Sequence, residues 1–426
     1  SVAGKLDLAR KFAEEALSLA REANEPVAEV RAARVIGIVL ARSGHEREAL
    51  PHFERALEAA ERSGDLAAKA EALQSLAVTE SNLRLPETLK HAEEAIPVFE
   101  RLGRERDVIK CLLPIYSLHR HFGDSKSARR VLERALRVAS THGNLDLHRR
   151  TLTRLADLES DSGRFDRTRS LYLESLYCCA HLGERGERGR DRTFLAESLV
   201  ECGRPTEAIG LLRVAMQQPA EFIEPDSFDL ARVVLAQAIL ETEDSDAQEV
   251  ETLLELAKSG LRTIGRKRPI LMALAHEMES CLRFARPDAL ESAWTEFEQV
   301  VSSCDVPPPP DAQARALLAY ATSLLSRGRI EEARSRASSA VDLAKKADLP
   351  SWAARVEALR AKILRREGCS EEADRAMARA RDLLREAASR IEDPAIRKDF
   401  LARRVFREIR EAESASFASA DRRLVA

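Results

Sequence analysis

Few residues of this 426-residue chain stand together in a way that does chemistry. His119 and His121 are two apart, and on a helix such a pair points to different sides, which chelates a metal poorly and reads as surface histidines. Cys178 and Cys179 are adjacent, so on a helix their thiols diverge, and packing is expected rather than a metal or redox site. Cys111, Cys202, Cys281, Cys304 and Cys369 are scattered, and an odd total of seven without framework spacing fits a reducing compartment. There is no Gly-rich phosphate loop, no GxSxG, no HExxH and no DxDxDG-type loop. Carboxylates are abundant everywhere, so no pair stands out as general acid and base. No catalytic residue, metal ligand set or cofactor emerges, and a non-enzyme is expected.

What positions side chains here is a repeat. Gly103, Gly123, Gly143, Gly163, Gly183 and Gly203 follow one another at twenty-residue steps; Gly44 and Gly64 show the same step, and Gly328 and Gly368 a doubled one. Each interval is one amphipathic segment of four to five helical turns, and a glycine just past a helix end takes the left-handed conformation without a Cβ clash. The chain therefore reads as helix, stop, helix, stop, with two helices to a forty-residue hairpin. Charged residues are 33% and aromatic residues 4%. Ala, Leu, Glu and Arg dominate, which is the composition of long amphipathic helices rather than of sheets.

Aligned hairpins share more than the glycine. Residues 36–57 place Gly37, Gly44, Ala49, Phe53 and Ala56 where residues 115–136 place Tyr116, Gly123, Ala128, Leu132 and Ala135. The offsets recur at Ala156, Gly163, Thr168, Tyr172 and Ser175, and at Ala196, Gly203, Ala208, Leu212 and Ala215. They return at Ala321, Gly328, Ala333, Ala337 and Ala340, and at Ala361, Gly368, Ala373, Met377 and Ala380. Two antiparallel helices approach closely only where side chains are small, and the bulky residue fills the groove beside them. This pattern resembles the tetratricopeptide repeat over about residues 4–391, with a unit of forty residues rather than the usual ~34. It lacks the closing proline, and segments 65–103, 223–265 and 266–305 fit loosely. The resemblance implies an all-α fold, an α-solenoid (a right-handed superhelix) of antiparallel helix hairpins whose first helices line a concave face.

On those first helices one position is repeatedly basic. Six residues before the small position come Arg31, Lys110, Arg150, Arg190, Arg315 and Arg355, and three before it Arg34, Leu113, Thr153, Thr193, Leu318 and Ala358. Such a ladder suits acidic side chains or a C-terminal carboxylate; the alternative is pairing with a glutamate of the neighbouring helix. Arg31, Arg34, Lys110, Arg150, Arg190, Arg315 and Arg355 are the candidate binding residues. Residues 120–192 hold sixteen Lys/Arg against eleven Asp/Glu, whereas 221–260 hold eleven acids against Arg232 and Lys258. The net charge of −3 supplies no global basic field for nucleic acid or an acidic membrane. The stretch 184–192, with Gly186 and Gly189, is expected to interrupt a first helix as a mobile loop or a stretched connection. Stacking aromatics for RNA are missing from it.

Organisation follows. Residues 1–305 are expected to be a repeat array that begins mid-repeat, because residues 4–23 match the second helix of a hairpin, with Gly4, Ala9 and Ala16 in place. With no initiator Met, this suggests a piece of a longer protein; an N-terminal capping helix is the alternative. Residues 306–310, Val306 and four prolines, mark a break, as a tight loop or a hinge. Residues 311–412 carry further hairpins and a capping helix over 393–412, with Asp393 as N-cap and Pro394 at its first position, and 413–426 are a tail or linker. The segment RIEDPAIRKDFLARRVFREI also resembles the closing helix of repeat regions in large bacterial signalling proteins built on a kinase or signal-transduction ATPase. No run of 18 apolar residues spans a membrane, and no signal-peptide pattern opens the chain, so a cytoplasmic location is expected. The functional expectation is a non-catalytic module that binds a protein or peptide, acidic if the ladder is used, inside a larger bacterial signalling or transcription-control protein with covalently attached domains. Alternatives are a free-standing adaptor and a small-molecule or peptide-pheromone sensor.

Overall fold

A computed structural model describes residues 2–43, 45–141, 143–218, 225–263, 267–304 and 310–412. Every regular element among them is helical. The chain divides into two compact units, Ser1–Leu158 and Glu159–Ala426. The first holds α1 (Val2–Glu22), α2 (Pro26–Arg42), α3 (Glu46–Ser63), α4 (Leu66–Asn82), α5 (Glu87–Arg101), α6 (Glu105–His121), α7 (Ser125–Thr141) and most of α8 (Leu145–Asp161). The second holds the end of α8, then α9 (Phe165–Leu182), α10 (Arg185–Glu201), α11 (Pro205–Met216), α12 (Pro225–Glu241), α13 (Ala247–Thr263) and α14 (Lys267–Arg283). It continues with α15 (Pro287–Ser302), α16 (Pro310–Ser326), α17 (Ile330–Lys346), α18 (Pro350–Arg366), α19 (Ser370–Ser389) and α20 (Pro394–Ala402). The proline run lies within the second unit; Pro310 is the first residue of α16, and 305–309 fall outside the described residues.

The even-numbered helices α2 to α18 are the first members of the pairs, and every one is 17 residues long. At 1.5 Å per residue each spans roughly 25 Å. First helices of successive pairs pack on each other, α2–α4–α6 in the first unit and α10–α12–α14–α16–α18 in the second, while second helices make no comparably close contact with one another. The first helices therefore form the inner layer of each stack.

The glycine stops are as expected. Gly64, Gly103, Gly123, Gly143, Gly163, Gly183, Gly203, Gly328 and Gly368 all have positive φ, and Gly44 lies outside the described residues. The small-bulky-small triads are buried throughout, from Ala49, Phe53 and Ala56 to Ala373, Met377 and Ala380, and Thr168 and Ser175 serve as alanines do. Gly37 shows why: a Cβ there would meet the Phe53 ring at 2.6 Å.

The loosely fitting segments also form helix pairs. Their turns use other residues in the left-handed region, Arg84 after α4 (φ 62°) and Ala285 after α14 (φ 53°), as do Asn24 and Asp348 elsewhere. Two expectations are corrected. Residues 185–201 form the continuous helix α10, with Gly189 buried inside it, so no loop interrupts it. The capping segment 393–412 is not one helix. Asp393 caps α20, accepting from the Ala395 and Ile396 amides, but Arg403 (φ −50°, ψ 140°) breaks it before a 3-10 turn at 404–406 and a further helical stretch at 407–412. A straight helix would set Phe400 and Phe406 roughly 120° apart; the break lets both bury in one cluster, their ring centroids 5.1 Å apart.

Candidate functional site

Equal helix lengths put equivalent residues on the inner stripe of each unit. The sixth residues are Arg31, Glu71, Lys110 and Arg150 in the first unit, and Arg190, Leu230, Met272, Arg315 and Arg355 in the second. The basic ladder is thus interrupted at α4, α12 and α14, the helices whose turns lack the regular glycine.

In the first unit the stripe is a chain of alternating charge. Arg34 of α2 pairs with Glu71 of α4. Glu71 also accepts from Arg104 at 2.7 Å, Arg104 reaches Asp107 at 2.8 Å, and Lys110 donates to Asp107 at 3.1 Å. Burial alone would raise the Asp107 carboxyl, but Lys110 and Arg104 outweigh it and hold the group below its ordinary range. Arg31 is exposed.

Beyond Lys110 the chain opens into a cleft between α6 and α8. Arg106, Lys110, Arg150 and Arg154 stand around it, with Ile109, Leu113, Leu147 and Thr151 completing its lining. The Lys110 and Arg150 side chains are each 48% exposed; Lys110 leans on Asp107, and Arg150 is 3.9 Å from Asp146. Pro114, buried inside α6, has no amide hydrogen, so the Lys110 carbonyl lacks its i+4 donor. The cleft thus brings four cations around an apolar lining. Two of the four, Lys110 and Arg150, were marked by forty-residue spacing. Arg106 and Arg154 were not, because four-residue spacing along one helix has no counterpart in the repeat.

In the second unit the ladder turns inward. Arg315 is buried, 2.6 Å from Glu279 and 3.7 Å from Glu201, and Arg355 donates to Glu279 at 3.1 Å. Both guanidinium carbons lie over the Trp352 ring, 4.6 and 4.2 Å from its centroid. Burial would raise Glu279, yet Arg315, His276 and Arg355 hold it well below the carboxylate range. His276, pushed down by burial and by Arg315, is buried with its Nδ1 3.3 Å from an Arg315 nitrogen and 3.4 Å from Glu279. Arg190 is partly exposed, 3.7 Å from Glu187. Arg315 and Arg355 therefore follow the pairing alternative. Sequence reasoning missed Glu279, four residues before the end of α14, a helix outside the regular pattern.

No group of three or more metal-ligating side chains occurs among the described residues. Cys111, Cys178, Cys179, Cys202 and Cys281 are buried, and burial pushes the Cys111 and Cys202 thiols up to about 12. His119 lies 3.5 Å from Asp124 at the end of α6. Among the described residues no helix is long and apolar enough to cross a membrane.

Comparisons agree with the architecture. The tetratricopeptide repeat family model matches residues 2–62. Among curated proteins no sequence match is found. The structure resembles the apo form of the quorum sensor NprR from B. thuringiensis, with a TM-score of 0.54 and 15% identity over 68% of this chain and 81% of that one. It also resembles a Rap protein solved in complex with Competence and Sporulation Factor, with a TM-score of 0.57 and 12% identity over 85% of this chain and 99% of that one. Inner-layer first helices, left-handed glycine stops, buried small-residue triads and these likenesses lead to one conclusion: in fold, this chain is an α-helical repeat protein of the tetratricopeptide type.

Proposed function

We propose that the chain is a non-catalytic binding module, and that the inner face of its first unit holds an acidic protein or peptide segment. The observation that carries this reading is that Lys110 and Arg150, forty residues apart in sequence, flank the same cleft together with Arg106 and Arg154. The two structural relatives are a quorum sensor and a Rap protein solved in complex with a factor, which supports a recognition role. The pairing of Arg315 and Arg355 with Glu279, and of Arg34 with Glu71, supports assigning the ligand role to the exposed members of the ladder, Arg31, Lys110 and Arg150, rather than to the whole ladder. A regulatory region of a larger bacterial signalling protein is the setting we infer from the resemblance of residues 390–409. Its test is whether the reading frame around residues 1–426 encodes a kinase or signal-transduction ATPase.

The direct test uses a fluorescein-labelled glutamate-rich decapeptide and a lysine-rich counterpart. Expected are binding of the acidic probe alone, weakening with salt as exposed ion pairs do, and a loss of at least tenfold in the Lys110→Glu/Arg150→Glu double variant with helicity retained. Equal binding by both proteins would remove this assignment.

A further inference from the structure

The inner face of the second unit is not empty; it is filled by the chain's own end. After α20 the backbone turns at Arg403 and lies against the first helices. Arg403 donates to Glu201 of α10 at 2.7 Å and to Glu241 of α12 at 2.8 Å. Arg404 reaches the Leu240 carbonyl at 3.1 Å, and Arg407 reaches Glu243 at 2.6 Å. Asp399 receives Arg204 at 2.9 Å, and Glu408 receives Lys362 of α18 at 2.7 Å. Between these charges Phe400, Phe406 and Ile409 bury in the cluster formed with α18 and α19.

Two details describe how this segment sits against the helices it contacts. First, its fit is incomplete. Val405, Glu408 and Ile409 form one wall of a cavity of about 150 Å³ whose other walls include Glu279, Leu318, Thr322, Arg355 and Lys362 of α14, α16 and α18. The Nε atoms of Arg403 and Arg404 are buried with no protein acceptor. Second, its contacts are those of a ligand. Basic side chains alternate with apolar ones, Arg403, Phe406, Arg407 and Ile409; Arg403 and Arg407 meet Glu201, Glu241 and Glu243 on a face that also carries Arg204, Arg355 and Lys362, as when an amphipathic segment docks in a groove.

We infer that the inner face of the second unit is a receptor groove for a basic amphipathic segment, and that residues 399–410 are its resident, displaceable occupant. The groove takes a partner whose chemistry is opposite in charge to the one proposed for the first unit, and such a partner gains access by displacing the chain's own segment. The two assignments are independent, since they concern different residues and probes of opposite charge.

Hydrogen exchange on the unaltered full chain tests displacement. The amides of 399–410 are expected to exchange at least tenfold faster than those in the middle of α12 and α18; equal rates would mean that the segment leaves only on global unfolding, and would overturn the proposal. Recognition is tested with a labelled synthetic peptide of residues 393–412. It should bind the full-length Arg403→Ala/Arg407→Ala variant at least tenfold more tightly than the unaltered chain, whose groove is filled. A control peptide with glutamate in place of Arg403, Arg404 and Arg407 should not bind. Equal binding of both peptides, or no binding to the variant, would overturn the assignment. If the double variant loses helicity, the milder Arg407→Glu chain takes its place, because that arginine is half-exposed, with the same outcomes required.

Discussion

Glu279 and Arg315 lie 2.6 Å apart between α14 and α16, and the same carboxylate also receives Arg355 from α18 at 3.1 Å. One acid thus satisfies two rungs of the basic ladder and ties three consecutive inner helices together. Replacing it with alanine leaves the buried Arg315 and the half-buried Arg355 sharing Trp352, with a more distant Glu201 for Arg315. The expected cost of Glu279→Ala is about 3–5 kcal/mol, the range for breaking one side of a buried ion pair. Urea melts followed by tryptophan emission report on it, since the chain's two tryptophans, Trp294 and Trp352, both lie in the second unit. A loss below about 1 kcal/mol would mean the pair is solvated.

Acid should loosen the second unit in two stages. His276 is held below its ordinary value of 6.5 by burial and Arg315. The unfolded chain therefore takes up a proton below pH 6.5 that the folded chain refuses, and stability falls from there downward by up to about 1.4 kcal/mol per pH unit for one proton. Glu201 and Glu279 are held below 4.5 despite burial, by Arg403 and Arg315 for the first and by Arg315 and His276 for the second. Their contribution is present above pH 4.5 and is lost as pH falls through their folded values. Glu277, raised by burial, works the other way. Urea midpoints measured from pH 8 to pH 4 should decline below 6.5, and His276→Gln should flatten the upper part of that decline. A midpoint unchanged between pH 7 and 5 in the unaltered protein counts against it.

Gly203 carries two demands at once. Its φ is +82°, and a Cβ there would stand 2.2 Å from the Asp399 carbonyl oxygen. Gly203→Ala should therefore push α20 away and speed proteolysis within 394–412, while Gly123→Ala, where a Cβ meets nothing, pays only the left-handed backbone cost of about 1 kcal/mol. Equal proteolysis of both variants would show that α20 does not rest on Gly203.

Ala285 holds a left-handed turn (φ 53°) without being glycine. Ala285→Gly should stabilise by about 0.5–1 kcal/mol, the relief of the Cβ strain less glycine's larger chain entropy. A drop in melting temperature would refute that strain.

Ala285 also shows where local reading runs out. The twenty-residue glycine step marked most stops because left-handed backbone is cheap only for glycine, and the small triads were legible because close helix packing excludes larger side chains. The turns at Arg84 and Ala285 carry no such mark, since an ordinary residue takes the same conformation when the flanking helices compensate its cost. With them Glu71 and Glu279 escaped notice, and Arg106 and Arg154 did so because nothing in the repeat singles out their position.

The amino-acid order alone carried most of the helices, their glycine-marked stops and the faces they bury, because those depend on residues within one or two turns of each other. It also determined that basic residues recur on the inner stripe. Which of them stay available was decided only by tertiary structure. Arg315 and Arg355 are consumed by Glu279, 36 and 76 residues away, and Arg403 meets Glu201 across 202. Partners so distant are set by how many helix pairs stack before the chain returns upon itself, and no local pattern encodes that distance.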